Sequence, residues 1–315
     1  MKKIIAMLLV LCMVACLFAG CSKEEDKGSV YFLNFKPEAD EAWQELATLY
    51  TEKTGVEVKV VTAASGTYSD TLTAEMTKED MPTLFQCGNL AGLETWKDYC
   101  LALDGTDFLN EMTTEDFNLK GEDGKTYAAG YCYEAFGIIV NNDLLAKAGY
   151  SVADIKDFAS LKTIVEDITA RKDELGFSAF TSAGLDSSSS WRFSGHLANM
   201  PLFYEGVNAD SATITGEALG YYKNIWDLYI NNATVAPTEL AAATGDQSKA
   251  EFVNGEAVFH QQGTWEYAGL TEAGVTNMTM IPIYCGAPDE ANAGLCCGTE
   301  NCWAVNAKAS EADQK

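Results

Sequence analysis

The stretch "SVYFLNFKPEADEAWQELATLYTEKTGVEVKVV", Ser29–Val61, decides the fold of this 315-residue chain. Its two ends are apolar runs, 29–35 and 56–61, which predict β-strands. Between them Pro37 opens a helix pattern with acidic residues in the first turn, and Gly55 closes it. A strand, a helix and a second strand form a βαβ unit, whose strands are parallel and whose crossover is right-handed.

Similar signals continue along the chain. A helix is predicted around 68–78, followed after Pro82 by a buried strand at 83–87. Further helical patterns cover 142–148, 160–172 and 217–231. Strands that alternate with helices indicate the α/β class. The length of the chain suggests two domains, since a domain usually has about 100–200 residues.

Three loops follow the first three predicted strands, at 34–38, 63–68 and 86–89. In open α/β sheets, ligands bind beyond the carboxyl ends of the strands. Amide, hydroxyl and charged side chains there can bond sugar hydroxyls, although turn chemistry alone explains each loop taken singly. The candidate ligand contacts in these loops are Asn34, Lys36, Glu38, Ser65, Thr67, Tyr68, Gln86 and Asn89.

The amino terminus has the pattern of a secretory signal. Basic residues at 2–3 precede the uncharged apolar run 4–18, which is shorter than the roughly 20 residues of a membrane span. "AGC", ending at Cys21, resembles the lipobox of bacterial lipoproteins, with Phe18 where leucine is usual. The resemblance implies a signal peptide at 1–20, lipid attachment at Cys21 and a flexible leash at 21–29. The alternative is an ordinary signal peptide with a chance cysteine.

The charge balance excludes some partners. After removal of residues 1–20, which contain two lysines and no acid, 19 basic and 46 acidic residues remain. Nucleic-acid binding and binding to anionic lipid both favour the opposite sign. We therefore expect no nucleic-acid partner and no membrane contact other than the lipid anchor. The acidity is better explained by solubility, and it leaves a cationic ligand open.

Cysteine spacing gives little support to a metal site. Seven cysteines follow Cys21, so at least one is unpaired within the chain. Cys296, Cys297 and Cys302 lack the spacing of a zinc ribbon. We interpret the cysteines mainly as small buried apolar residues, and we expect neither a metal nor a cofactor.

Three segments in order carry a family resemblance. They are the opening "FLNFKPEADEAWQELATLYTEKTGVEVKVV", then "GKTYAAGYCYEAFGIIVNNDLLAKAGY" at 124–150, and "AEFVNGEAVFHQQGTWEYAGL" at 250–270. Together they resemble the maltose-type family of extracellular solute-binding proteins, the lipoprotein receptors of ABC sugar importers.

The resemblance implies a type II periplasmic-binding-protein-like fold with a ligand cleft between two lobes, each a mostly parallel sheet flanked by helices. The first lobe would contain 30–134 and 284–315, and the second 135–283. The family continues through more helices beyond the point matching Lys315, so we expect a fragment whose second lobe lacks C-terminal helices. The implied function is capture of a sugar, with an oligosaccharide expected, by a lipid-anchored extracytoplasmic monomer that delivers it to the transmembrane subunits of an ABC permease.

The resemblance also implies binding residues in the second and third segments. Glu134 matches a carboxylate that accepts hydrogen bonds from sugar hydroxyls, and Trp265 matches an aromatic platform for a pyranose ring. Tyr133 and Thr264 adjoin these two residues. Trp191, with Arg192 beside it, is a candidate second platform after the serine tract, although the resemblance there is poor. The alternative for each is a role in packing or in a solvated loop.

Other functions stay open at this point. A carboxylate pair for glycoside hydrolysis could lie among the 46 acids, but the chain has no nucleophile elbow, zinc-protease helix or phosphate loop, so we predict no enzyme. A receptor for a cation such as a polyamine, or a glycan-binding surface lipoprotein without a permease, would share the fold. The sequence does not identify the sugar, its linkage or its length.

Overall fold

The computed structural model describes residues 27–182, 184–207, 211, 213–288 and 290–315. Its strands are β1 Ser29–Asn34, β2 Glu57–Thr62, β3 Leu84–Cys87, β4 Leu119–Lys120, β5 Thr126–Gly130, β6 Glu134–Asn141, β7 Ser178–Phe180, β8 Ala257–Gly263, β9 Met278–Ile281, β10 Cys296–Gly298 and β11 Cys302–Val305. Its α-helices are α1 Asp40–Thr54, α2 Tyr68–Glu75, α3 Leu90–Trp96, α4 Asp107–Glu111, α5 Asn142–Lys147, α6 Phe158–Ala170, α7 Lys172–Leu175, α8 Asn199–Glu205, α9 Leu219–Ile225, α10 Gly245–Val253, α11 Tyr267–Glu272 and α12 Glu311–Gln314. Short 3₁₀ helices lie at Pro37–Ala39, Lys97–Tyr99, Val152–Asp154, Pro237–Ala242, Thr264–Glu266 and Glu290–Asn292, and π-helical turns at Arg192–Leu197 and Trp226–Ile230.

The opening βαβ unit forms as predicted. β1 and β2 pair in parallel, with Ser29 opposite Glu57 and Asn34 opposite Thr62. α1 carries acidic residues in its first turn, where the helix dipole favours them. It ends at Gly55, whose φ of 75° lies in the left-handed region that glycine adopts without strain. The predicted α/β class is confirmed.

The first sheet has the strand order β2-β1-β3-β11-β5-β4. The strands β2, β1 and β3 are parallel, because helical crossovers connect them. β11 returns from much later in the chain and lies antiparallel between β3 and β5. One face of this sheet packs against α2 and α3 through a core that includes Leu33, Phe85 and Leu93.

The second sheet has the order β10-β6-β8-β7, and β9 also pairs with β6. β6 is antiparallel to β8, β9 and β10, whereas β7 and β8 are parallel. The prediction that each sheet is mostly parallel is therefore wrong. Parallel neighbours require a crossover connection, such as the helical segments between β7 and β8, whereas β6 pairs with its three partners in antiparallel register. Its core includes Ile138, Val140 and Leu161.

The chain passes between the two sheets near the predicted lobe boundaries. The chain leaves the first sheet after β5 and begins the second at Glu134, close to the predicted boundary. It returns later than the predicted position 284, because residues 296–298 still pair with β6. The lobe boundaries themselves stay a prediction.

Part of the predicted leash belongs to the folded chain. The Ser29 backbone N–H donates to Asp313 Oδ1 at 2.6 Å, and a methyl group at Gly28 would lie 2.4 Å from the Ala312 carbonyl. Gly28 and Ser29 are therefore packed against α12, and the expectation of a flexible segment up to 29 is wrong for these two residues. The predicted signal peptide and Cys21 lie outside the described residues. Within the part of the chain that is described, no helix has the length and apolarity to span a bilayer.

The described cysteines are free thiols, and most are buried. Cys87, Cys100 and Cys302 belong to the core of the first sheet, and Cys285 to that of the second. These four confirm the interpretation as small buried apolar residues. Cys297 is exposed and does not fit it.

Candidate functional site

A cavity of about 350 Å³ lies where the first and second sheets meet. Its lining comes from the loop after β1, from α1, from the crossing between β5 and β6, and from the turn after β8. The lining residues are Lys36, Glu38, Ala39, Ala42, Trp43, Leu46, Tyr131, Cys132, Glu134 and Trp265. The volume is within the usual range of small-molecule sites.

Lys36 is the cation at the centre of this site. The Lys36 Nζ lies 2.5 Å from Glu134 Oε2 and 3.7 Å from Glu38 Oε1. Only 7% of Lys36 is exposed, so the ion pair with Glu134 is shielded from solvent. Because Glu134 begins β6, this pair connects a loop of the first sheet to a strand of the second.

Asn34 explains why Lys36 takes this position. The Asn34 side chain accepts the Lys36 backbone N–H at 3.0 Å and donates to the Lys36 carbonyl at 2.8 Å. The Gln86 side chain accepts the Phe35 N–H at 2.6 Å and donates to the Tyr131 hydroxyl at 3.0 Å. These two buried amides fix the loop after β1, because every bond satisfies a polar group that has lost water.

The electrostatics of the cleft favour a protonated Glu38 more than water does. Desolvation raises the pKa of Glu38, and the nearby charges of Glu134 and Glu266 raise it further, whereas Lys36 opposes them. Glu300 also lies within electrostatic range of Lys36, Glu134 and Glu38.

Trp265 forms the opposite side of the cleft. It lies in the 3₁₀ turn after β8, and its ring folds over Gly263 so closely that a methyl group there would lie 2.1 Å from it. The Lys36 Nζ lies 5.5 Å from the ring centroid, within cation–π distance. The adjacent Thr264 hydroxyl accepts the Ala135 N–H at 3.2 Å, which attaches the turn to β6.

More aromatic rings continue this side. The centroid of Trp191 lies 6.0 Å from that of Trp265, and the His196 ring lies 5.8 Å from Trp265. His196 stacks on Phe136 at 3.9 Å, and the Gln261 side-chain nitrogen lies 2.8 Å from its Nδ1. Burial lowers the pKa of His196 to about 4, and the charge of Arg192 adds to this effect. The ring is therefore neutral at pH 7.

Four predicted contacts are buried and serve the fold around the cleft. Asn34 and Gln86 hold the loop after β1, as described above. The Tyr68 hydroxyl donates to the Leu33 carbonyl at 3.2 Å and accepts the Gln86 backbone N–H at 2.7 Å. Arg192 lies below the surface, where a methyl group at Gly184 would be 2.7 Å from its guanidinium. We do not propose these four as direct ligand contacts.

Four other predicted residues, Ser65, Thr67, Asn89 and Tyr133, are not among those that line the cavity. Ser65 and Thr67 are exposed in the loop after β2, where the Thr67 hydroxyl donates to the Ala64 carbonyl at 2.8 Å. Asn89 caps α3 by accepting the Gly92 N–H at 2.9 Å. Tyr133 is exposed and packs edge-on against Phe117.

Several residues of the site were not among the predicted contacts. Tyr131, Cys132 and Trp43 line the cavity, and His196 supports the aromatic side. Trp43 follows the helical spacing of α1 and gave no signal other than packing, whereas Tyr131 and Cys132 adjoin the predicted pair at 133–134. Among the described residues, no group of three or more His, Cys, Asp or Glu could hold a metal ion.

The family is decided by sequence comparison. The family described as bacterial extracellular solute-binding protein matches residues 45–315. The chain belongs to this family. Solute-binding proteins bind their ligand and are not enzymes. No curated protein sequence matches the chain significantly.

Solved structures of solute-binding proteins share the fold. The GacH receptor of Streptomyces glaucescens has 22% identity and a TM-score of 0.69, over 91% of this chain and 73% of that one. RafE, known from Streptococcus pneumoniae and solved with raffinose, has 16% identity and a TM-score of 0.69, over 91% and 75%. A Thermotoga lettingae solute-binding protein bound with α-D-tagatose has 15% identity and a TM-score of 0.70, over 91% and 74%. These likenesses establish a periplasmic-binding-protein-like fold for this solute-binding protein.

Proposed function

We propose that this solute-binding protein captures an oligosaccharide outside the cell membrane and delivers it to an ABC permease. The observation that carries the proposal is that Trp265 and the Lys36–Glu134 ion pair line one cavity, with the Trp191 ring 6.0 Å from that of Trp265. An aromatic ring offers a flat apolar surface to the C–H face of a pyranose, and charged side chains bond its hydroxyls.

The ligands of the similar structures support a sugar as the ligand class. These structures include GacH with acarbose, RafE with raffinose, a chitin oligosaccharide binding protein, and a Listeria monocytogenes protein with cycloalternan. Each of these ligands is a saccharide or resembles one. Because the fold is shared, we propose the same class of ligand, a saccharide, for this chain.

The mechanism that we propose is closure of two lobes over the sugar. Lys36 comes from the first sheet, whereas Glu134 and Trp265 come from the second, so a ligand between them contacts both lobes. Such a ligand favours the closed form by its differential affinity, and the permease would recognise that form. The protein acts as a monomer, held at the membrane by the lipid on Cys21.

The proposed contact set follows from exposure and position. Lys36, Glu38, Glu134, Trp191 and Trp265 form its centre. Predicted residues outside the cavity lining complete the set, and these are Ser65, Thr67, Asn89, Tyr133 and Thr264.

A second candidate is a receptor for a cation such as a polyamine. The acidic residues Glu38, Glu134 and Glu300 lie near Lys36, and an excess of carboxylates favours a positively charged ligand. The tryptophans favour the sugar, since a polyamine offers no ring face to stack. A glycan-binding surface protein without a permease would use the same cleft.

The test is thermal unfolding of the protein from residue 22 onward, with raffinose, maltotriose, xylotriose, chitotriose or spermidine added. A ligand at about 100 times its Kd stabilises the folded state by about 2.7 kcal/mol, which gives a clear rise in Tm. We expect a rise with one sugar series and none with spermidine. A rise with spermidine alone would replace the sugar by a cation, and no rise with any compound would overturn both proposals.

A further inference from the structure

The serine tract at 187–190 belongs to a loop, Asp186–Trp191, that we call the serine loop. It lies at the edge of the cleft, opposite the loop after β2 of the first sheet. Gly66 in that loop has a φ of 75°, and a methyl group there would lie 3.5 Å from the Ser188 carbonyl oxygen. The serine loop is therefore a place where the two sides of the cleft approach each other.

Asp186 organises this loop. Its Oδ2 accepts the Ser188 backbone N–H at 3.0 Å and the Ser188 hydroxyl at 2.5 Å, and its Oδ1 accepts the Ser189 hydroxyl. Its carbonyl accepts the backbone N–H groups of Ser189 and Ser190 at 3.2 and 3.0 Å. The hydroxyl bonds from Ser188 and Ser189 lower the pKa of Asp186 to about 2, so the carboxylate is charged at neutral pH.

Ser188, which Asp186 holds in place, is hydrogen-bonded to Trp191. The Trp191 indole Nε1–H donates to the Ser188 carbonyl at 3.1 Å. The ring is 38% exposed and packs edge-on against His196 at 5.3 Å. An exposed tryptophan with few neighbours has several rotamers, so a hydrogen bond to a fixed carbonyl selects one before the ligand arrives.

We propose that Asp186 is a positioning residue for ligand binding, acting through Ser188 to hold the Trp191 ring toward the cleft. The inference rests on the proposed function, because it assumes that Trp191 contacts the sugar. Asp186 itself touches no ligand. Its loss lowers affinity by releasing Trp191.

The first test needs no ligand. The indole Nε1–H resonance of Trp191 is identified by its absence in Trp191→Phe, and its exchange with solvent is measured by NMR. In Asp186→Ala the exchange becomes at least about tenfold faster, because the Ser188 carbonyl is no longer fixed. Asp186→Asn keeps one acceptor oxygen and gives an intermediate rate. Asp227→Ala, which removes an exposed acid of the same lobe, leaves the rate unchanged.

The second test is a double-mutant cycle on affinity, with whichever of raffinose, maltotriose, xylotriose and chitotriose the wild type binds. Asp186→Ala weakens binding roughly tenfold in the wild-type background and less than twofold in the Trp191→Ala background, because both changes remove the same contact. Equal losses in the two backgrounds, or an unchanged indole exchange rate in both Asp186 variants, would overturn the inference and leave the proposed function standing. Absence of binding by the wild type to all four sugars would instead overturn the proposed function and, with it, this role in binding.

Discussion

The two sides of the cleft are built differently. On the side of the first sheet, two buried amides, Asn34 and Gln86, fix a charged group, Lys36, through several short hydrogen bonds. On the side of the second sheet, the aromatic rings of Trp191 and Trp265 depend on one hydrogen bond and on close contact with a glycine. The charged side is therefore preorganised by the fold, whereas the aromatic side offers apolar surface whose placement small changes can disturb.

Loss of Trp265 on the aromatic side should reduce affinity most. Trp265→Ala should weaken sugar binding roughly 100-fold, or about 2.7 kcal/mol, since a central tryptophan is the typical dominant contact of an interface. The measurement is isothermal titration with the sugar that the wild type binds. Trp226→Ala is the control, because this tryptophan is exposed and does not line the cavity. Equal affinities of the wild type and Trp265→Ala would remove the aromatic side from the site.

A second experiment tests the charged side. Lys36→Met leaves the shielded Glu134 carboxylate without its counter-ion, so the free energy of unfolding should fall by roughly 2 kcal/mol, measured by urea denaturation. The double variant Lys36→Met/Glu134→Gln should recover most of this loss. Lys120→Met removes an exposed ion pair with Glu115 and should cost less than about 0.5 kcal/mol. A loss in Lys36→Met no larger than in this control would show that the pair is not shielded.

A third experiment tests how the aromatic side is placed. Gly263→Ala puts a methyl group into the Trp265 ring, which must move, so affinity should fall roughly tenfold, or about 1.4 kcal/mol. The change in ring environment should appear in the tryptophan fluorescence. The control is Gly220→Ala in α9, where a methyl group meets open space. Unchanged affinity and fluorescence in Gly263→Ala would mean that Trp265 does not depend on the glycine.

The smallest effect concerns pH. The pKa of His196 is about 4 in the folded chain and about 6.5 when unfolded, so the unfolded state binds the proton first as the pH falls. This group's contribution to stability is present above pH 6.5 and is lost as the pH falls toward 4. From pH 7 to 5.5 the loss should be about 1 kcal/mol.

This pH effect is checked by measuring the free energy of unfolding as a function of pH for the wild type and for His196→Gln. Buried His260 has its pKa lowered in the same direction and titrates in both proteins, so the difference between the two curves reports His196. A wild-type curve that runs parallel to that of His196→Gln would show that His196 is not desolvated in the folded state.

The local pattern of the sequence was sufficient for the first three strands and for α1, because apolar spacing, Pro37 and Gly55 are signals within a few residues. The antiparallel pairings of β6 could not be predicted in this way, since they depend on partners more than 100 residues away.

The residues of the site likewise differ in whether a local pattern was enough to predict them. Lys36 follows a predicted strand end and was found by position, whereas Trp265 was found through the family resemblance. Asn34, Tyr68 and Gln86 carry the right chemistry, but the fold turns them inward, and burial is a property of tertiary packing. His196 gave little signal, because its ring becomes part of the aromatic side only when β6 and β8 bring Phe136 and Trp265 beside it.

The position of β11 has a consequence for how the chain folds. This strand lies between β3 and β5, so the middle of the first sheet has a gap until residues 302–305 arrive. Pairings between positions so distant in sequence form slowly, because a long loop must close first. A chain that emerges amino terminus first cannot complete its first sheet until all of residues 131–301 and β11 itself have been made. The closing of this gap by β11 is therefore the expected rate-limiting step in the folding of the first sheet.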